Sequence, residues 1–469
     1  MTLEYIHPRV AIDESDVGPR PTPAVSLARI GVVGTFSKGP VNEPVLIGSL
    51  DQLVSIFGQH KSGLSGYLSA LGAMAQGAND FYVVRVGGAS IASASKILQD
   101  STPADSVVVT AKTPGSWGND ITVAVASGTT GGTFKLIITY GSQQETFDNL
   151  TLDNVATQVT SQFVTAAKAP GAANIPANIS ATPLSGGDDG ATTQDSDYVG
   201  TIDGSGNRSG LKVLETVRCA IAICAQQYST TIRNALLTHC ANMVIDFGLR
   251  MAVLNTSVGL TPTQAVAETA AMDSMRGILT YPWVELSDLT GELVAPDGVY
   301  AGRLSVLKAS ESPSNKEITG INKTERFLAD SEIKALTQAR ISPISLVEGR
   351  GFRIRNGVTL ASDPAWAQTN IRRQFDKLEM EIFAATQWAI SENNTPKLRA
   401  AIAAQIDNYL VAKKQQGEIY DFKPTICDDT NNTPETIQAR ILNTTIRVRP
   451  LYAADYIDHH IQRLVGNER

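Results

Sequence analysis

The stretch Ile30–Gly58, IGVVGTFSKGPVNEPVLIGSLDQLVSIFG, limits the possible folds most. Ile30 to Thr35 is a short apolar run with β-branched residues, bounded by glycine, and reads as a buried strand. Lys38-Gly39-Pro40 breaks it as a turn. Val45 to Ile47 reads as a second short strand. Ser49 and Gln52 have the spacing of a capping box, which starts a helix at Leu50; Gly58 ends it after Phe57. A glycine-rich turn after a strand also raises phosphate binding. A P-loop needs two glycines five apart followed by Lys and Ser or Thr, so that backbone N–H groups cradle the phosphate. Here Lys38 precedes Gly39-Pro40, Pro40 removes a donor, and no helix starts at the turn. Nucleotide binding is therefore not expected.

Read in order, the chain predicts an α/β, multidomain protein. Residues 1–24 form an extended arm: Ile6, Val10 and Ile12 alternate with polar residues, while Pro8, Pro19, Pro21 and Pro23 confine such a segment to a sheet edge. Residues 25–90 give strand, strand, helix, a second helix at Leu64–Gln76 and a strand at Phe81–Val86. Residues 91–192, rich in Ser, Thr and Gly, read as an inserted, mostly-β outer domain. Its expected strands are Val107–Ala111, Ile121–Ala126 and Thr133–Tyr140, with a helix over Leu152–Ala167. Residues 193–335 resume the mixed α/β core. Strands are expected at Arg218–Ala225, Arg250–Asn255, Gly277–Glu285 and Tyr300–Leu307, and helices at Lys212–Thr216, Thr230–Met243 and after the Thr261-Pro262-Thr263-Gln264 cap. Helices between strands at this spacing imply crossovers and a parallel or mixed sheet.

Residues 336–450 read as a second, C-terminal α/β domain. Strand pieces at Ile344–Val347, Phe352–Asn356 and Val358–Leu360 precede two amphipathic helices. Ile371, Phe375, Leu378, Ile382, Ala385 and Ala389 form one apolar stripe; Leu398, Ile402, Ile406, Tyr409 and Leu410 form the next, ended by Gly417. Ile446 and Val448 oppose Arg447 and Arg449 in strand fashion. Residues 451–469 read as a second extended arm, in which the spacing of Ile457, Ile461 and Val465 also permits a helix.

At 469 residues with 42% hydrophobic and 18% charged side chains, several buried cores are affordable. A net charge of −7 argues against direct nucleic-acid binding. The chain has no run of eighteen apolar residues, so membrane insertion is not expected. MTLEYIHPRVAID lacks a basic start followed by an apolar run, so a secretory signal is not expected. Cys219, Cys224, Cys240 and Cys427 form no Cys-x-x-Cys pair and read as buried, reduced thiols of a protein made in a cytoplasm. No Gly-x-Ser-x-Gly elbow, His-Glu-x-x-His or zinc-spaced set is present. His459 and His460 are adjacent, and on a strand would face opposite ways. No catalytic residue, cofactor or metal is expected; a hydrolase with an unrecognised site stays as an alternative, because catalytic residues can be distant in sequence.

The Ile30–Gly58 stretch resembles the opening of contractile tail sheath proteins of bacteriophages. Phe81–Val86, Pro114-Gly115-Ser116-Trp117-Gly118-Asn119-Asp120, Leu184-Ser185-Gly186-Gly187-Asp188-Asp189-Gly190, Tyr281-Pro282-Trp283-Val284 and Asp429-Thr430-Asn431-Asn432-Thr433-Pro434 resemble further segments of that family, in family order. The resemblance implies a structural, non-enzymatic subunit of a phage tail. It would form hexameric rings stacked helically around a tail tube protein, with baseplate and tail terminator proteins as further partners. Assembly would take place in the host cytoplasm, and contraction would drive genome ejection. A non-phage contractile injection system is the alternative. It also implies that arms pass between subunits: Tyr5, Ile6, Val10 and Ile12 at one end, Ile457, Ile461 and Val465 at the other. The acceptor sheet would include Phe352, Ile354, Val358, Leu360, Ile446 and Val448. Arg372, Arg373 and Lys377, or Lys413 and Lys414, would face the tube, unless they form an ordinary solvated helix face.

Overall fold

The fold is described from a computed structural model, which describes residues 24–463. The chain divides into two compact units. The larger comprises Ser26–Lys377 with the described residues from Leu451 onward; the smaller comprises Leu378–Pro450 with the described residues up to Val25.

The larger unit starts as expected, with β1 (Ile30–Gly34), β2 (Pro44–Ile47), α1 (Leu50–Phe57), α2 (Gly66–Met74) and β3 (Phe81–Arg85). Ser49 caps α1 by accepting from the Gln52 amide at 3.2 Å, while the Gln52 side chain accepts from Gly48 N at 2.8 Å rather than from Ser49 N. The inserted region follows: β4 (Ser95–Gln99), β5 (Asp105–Ala111), β6 (Thr122–Ser127), β7 (Phe134–Tyr140), β8 (Gln143–Leu150), α3 (Val155–Gln158), β9 (Val164–Lys168) and β10 (Ile179–Pro183). These strands form two antiparallel sheets, β10-β6-β7-β8 and β4-β5-β9, around one core that includes Trp117, Val123, Leu136 and Phe163. The helix expected over Leu152–Ala167 is a single turn followed by a strand. Ser161 Oγ accepts from the amides of Phe163 and Val164 at 3.0 and 3.1 Å, which turns the chain so that Val164 and Ala166 alternate into the core.

The core then resumes with α4 (Asp195–Val199), β11 (Ile221–Cys224), α5 (Thr230–Asn242), β12 (Met251–Asn255), α6 (Pro262–Glu268), β13 (Gly277–Tyr281), β14 (Val284–Leu286), β15 (Leu293–Val294), α7 (Asp297–Ser305), β16 (Glu317–Ile318), β17 (Ile321–Thr324), α8 (Asp330–Gln338), β18 (Ile341–Val347) and β19 (Gly351–Ile354). Thr261 and Gln264 form the expected capping box of α6. A nine-stranded sheet in the order β16-β19-β18-β13-β12-β11-β1-β3-β2 runs through the unit. Its six central strands are parallel and its edges antiparallel. Side chains alternate between two cores: Ile221 and Ile223 face one, with α2 and α7, and Ala222 and Cys224 face the other, with α5 and α6. All four cysteines are free and buried.

Two expectations fail here for packing reasons. Tyr300–Leu307 is not a strand; α7 occupies it. A Cβ on Gly302 would lie 2.4 Å from the Ala73 carbonyl and one on Gly298 1.9 Å from that of Ser69, so α7 meets α2 backbone to backbone, a contact the local pattern does not reveal. Second, the domain expected from residue 336 starts later. β18 pairs with β13 in the nine-stranded sheet, and the smaller unit begins at Leu378.

The carboxyl ends of the parallel strands, where an α/β protein would hold a ligand, are closed by polar groups of the chain itself. Asp297, fully buried, accepts from Ser69 Oγ (2.7 Å), Gln226 N (2.8 Å), Asn255 Nδ2 (2.9 Å) and Gly298 N (2.5 Å). Burial raises its carboxyl pKa.

The insert is held at Arg85, the last residue of β3. Its guanidinium, wholly buried, donates to the carbonyls of Gly39 (2.9 Å), Pro114 (2.6 Å) and Asp189 (3.4 Å). One side chain thereby joins the Lys-Gly-Pro turn to the turn between β5 and β6 and to the return connection of the insert. Burial lowers its pKa to about 10, still far above neutral pH. The Asp189 carboxylate accepts from Ser116 N and Oγ (2.8 and 2.9 Å) and from Lys61 Nζ. Asn119 exchanges two side-chain bonds with the Gly187 backbone (2.9 and 3.0 Å).

Candidate assembly site

The smaller unit is built on the last turns of α9 (Thr369–Thr386), on α10 (Pro396–Gln415), and on β20 (Asp421–Ile426), α11 (Pro434–Gln438) and β21 (Thr445–Arg449). Thr395 caps α10 by accepting from Leu398 N at 3.2 Å, and Pro396 takes the first helical position. The two helical stripes meet as expected in a core of Leu378, Ile402, Ile406, Tyr409 and Leu410. Inside it Glu381 is 1% exposed and accepts from Lys413 Nζ (3.0 Å), the Tyr409 hydroxyl and Val25 N (3.1 Å). Burial and this carboxylate raise the Tyr409 pKa.

β20 and β21 pair antiparallel, with Phe422 opposite Val448, and Ile446 and Val448 lie against the unit's core. Among the described residues the sheet has no third strand, so both outer edges leave backbone donors and acceptors unpaired by strands. A two-stranded sheet is marginal alone and gains from further strands. Beside it opens a cleft of about 840 Å³ lined by Ile382, Ile390, Leu398, Ile402, Ile437 and Leu442 among others. Ile390, 66% exposed, stands at this cleft.

The residues expected to accept an arm therefore separate. Ile446 and Val448 lie in the open two-stranded sheet. Phe352 and Ile354 lie in β19, which is paired on both sides by β16 and β18 in the other unit and offers no free edge. Val358 makes an isolated bridge to Gln368, and Leu360 is fully buried. Sequence pattern identified strands here but not the sheet each would join.

The five basic candidates also separate. Arg372 and Arg373 are 4% and 2% exposed and cannot form a solvated face. Arg372 pairs with Asp376 at 2.9 Å and stacks 4.6 Å from the Trp366 ring. Arg373 donates to the carbonyls of Leu27 (3.4 Å), Leu307 (3.3 Å) and Lys308 (3.5 Å), and burial lowers its pKa to about 10. The first turns of α9 are buried all round, so polar positions read as a surface face became internal contacts. Lys377 is half-buried. Lys413 is committed to Glu381 and Glu418, whereas Lys414 is exposed and pairs with Asp421 at 2.8 Å.

Residues 451–463 carry no helix or strand. Tyr456, Ile457 and Ile461 are 85%, 72% and 94% exposed. His459 and His460 are exposed too, and no metal-binding group of side chains occurs among the described residues. Tyr5, Ile6, Val10, Ile12 and Val465 lie outside the described residues.

Two known families match this chain. The phage tail sheath C-terminal domain matches residues 361–462, which contain the open sheet and the exposed segment. The region described as tail sheath protein Gp18 domain III, N-terminal region, matches residues 28–86, the first part of the large sheet. Two segments of the chain, residues 28–86 and 361–462, are thus similar to tail sheath domains. The tail sheath protein of Vibrio phage KVP40 is 29% identical over 177 residues, covering 37% of this chain and 26% of that protein. The chain thus spans about a quarter of the length of that relative. The sheath tail protein Lin1278 from Listeria innocua has the same fold, with a TM-score of 0.68 at 16% identity, covering 92% of this chain and 94% of that one. The helical sheath of the anti-feeding prophage in its contracted state is similar too, with a TM-score of 0.58 at 14% identity over 97% and 99% of the two chains. Each of these relatives is described as a sheath protein.

Proposed function

We propose that this protein is the subunit of a contractile sheath, polymerising as stacked hexameric rings around a tail tube. The observation that carries the reading is a pairing within one chain: an exposed apolar C-terminal segment and a sheet open on both edges. Each unit is unfinished, and a neighbouring copy supplies what it lacks. The C-terminal segment, and with it the N-terminal arm around Tyr5–Ile12, adds strands to the β20–β21 sheet of neighbours. The inter-subunit contact is head-to-tail and does not close, so the assembly grows as a helix whose length other tail parts set. Baseplate and terminator proteins take that role, and Lys414 is the candidate for meeting an acidic tube surface. Contraction repacks the subunits as rigid bodies while the strand exchange persists, at a few kcal/mol per subunit. No nucleotide is consumed. Assembly occurs in the host cytoplasm and contraction ejects the genome.

The likeness to the contracted anti-feeding prophage sheath favours a second reading, a sheath subunit of a non-phage contractile injection system. Electron microscopy of native particles separates the two by the presence or absence of a capsid. The test of the sheath reading itself is deletion of residues 1–15. Negative-stain microscopy is expected to show striated tubes for the whole chain and soluble monomers for the deletion. Normal polymerisation of the deleted chain refutes the N-terminal arm.

A further inference from the structure

We propose that the first turns of α9 are a shared anchor for both terminal arms, with Gln374 and Asn370 fixing the point at which the C-terminal arm leaves the subunit. The inference rests on the arm-exchange reading above. Gln374 is 3% exposed, and its amide bonds Leu451 in both directions: Leu451 N donates to Oε1 at 3.0 Å, and Nε2 donates to the Leu451 carbonyl at 3.0 Å. A strand residue exchanges the same two bonds with its antiparallel partner. Asn370, four residues earlier and on the same helix face, adds a third bond from Nδ2 to the Leu451 carbonyl at 3.1 Å. Gln368 extends the grip: it accepts from Ala453 N at 3.4 Å and donates to Asp455 Oδ2 at 3.3 Å. The highly exposed stretch, Tyr456 onward, starts where this grip ends.

Arg373, adjacent to Gln374, takes hold of the other end of the chain. Its guanidinium reaches the Leu27 carbonyl, just before β1 and just after the described N-terminal segment begins. Leu27, in the lead-in to β1, and Leu451, at the root of the C-terminal arm, are therefore tied to one helix turn. At Leu451 the grip uses neutral amides on backbone groups and carries no titrating partner; only the Gln368 bond to Asp455 ends on a charged group. Because the root is ordered in the free subunit, the entropy of fixing it is not lost again when the arm docks, and the arm leaves in a set direction.

The test is Gln374→Met, similar in length and without the amide, in the full chain. In the wild type the Leu451 amide is expected to be protected from hydrogen exchange. In the variant its exchange rises about tenfold or more, the melting midpoint moves little, and sheath yield and length fall severalfold. If the variant melts much lower, Gln374→Glu is used, which keeps the acceptor for Leu451 N and loses the donor to its carbonyl. Two results overturn the anchor: an unprotected Leu451 amide in the wild type, or wild-type sheath yield and length from a variant whose Leu451 amide exchanges freely. A deletion of residues 456–469 separates the layers. If it stops polymerisation and Gln374→Met does not, the anchor alone is wrong. If it leaves polymerisation intact, the arm exchange is wrong and the anchor falls with it.

Discussion

Nη1 of Arg85 lies 2.6 Å from the carbonyl oxygen of Pro114, a bond between the end of a core strand and the turn that opens the Trp117 segment. The same guanidinium holds Gly39 and Asp189. Arg85 thus explains why Lys-Gly-Pro, Pro-Gly-Ser-Trp-Gly-Asn and Gly-Gly-Asp-Asp-Gly occur in one chain: they are three walls of one buried cation site. Replacing it by Met leaves three carbonyls without a donor and is expected to cost about 3 kcal/mol. Urea denaturation measures the loss, and limited proteolysis should cut near residues 87–93 first. Arg85→Lys should rescue little, since one ammonium cannot span all three carbonyls.

Gly302→Ala tests the contact between α2 and α7. The added methyl would lie 2.4 Å from the Ala73 carbonyl, a backbone atom that moves only with its helix. A loss of about 2–3 kcal/mol is expected from overpacking. Gly131→Ala, where a Cβ meets nothing within 4 Å, should stay within about 0.5 kcal/mol of the wild type. Thermal melting compares the two.

His239 supplies a pH dependence. It is buried, and Arg250 donates to its Nε2 at 3.1 Å. Burial first, then the charges of Arg250 and Lys212, lower its pKa from 6.5 to about 3. The native state then refuses a proton that the unfolded chain accepts. Its contribution is complete above pH 6.5 and is lost as pH falls from there toward 3, at up to about 1.4 kcal/mol per pH unit. His239→Gln should flatten that part of the stability curve relative to wild type, in denaturant titrations at pH 7, 6, 5 and 4.

Ile457→Asp and Ile461→Asp separate stability from assembly. Both side chains face solvent in the single chain, so melting should change by less than about 0.5 kcal/mol in free energy. Striated tubes should be absent in negative stain. Tubes of normal length from the double variant would remove these residues from the interface.

Where local chemistry decides structure, the sequence was legible. The caps at Ser49, Thr261 and Thr395 mark helix starts within a residue, and the buried runs at Ile30, Phe81 and Met251 are core strands. The failures share a cause. Tyr300–Leu307 took its conformation from α2, Phe352 and Ile354 took their sheet from β18, and Arg373 found internal partners at Leu27 and Leu307, far away in sequence. Hydrophobic periodicity reports that a face is covered, not by what. Gln374, whose amide pairs with Leu451, carried no local signal, since a lone Gln on a helix reads as a surface residue.

Gly88 N lies 2.8 Å from Gly190 O, so the two connections of the insert touch where they leave the core. The β-rich module thus leaves and rejoins the core at one doorway, while the strands on either side, β3 and β11, both flank β1. A different folded module whose own ends lie side by side could be spliced at that doorway, provided that it offers carbonyls to Arg85 in place of those of Pro114 and Asp189.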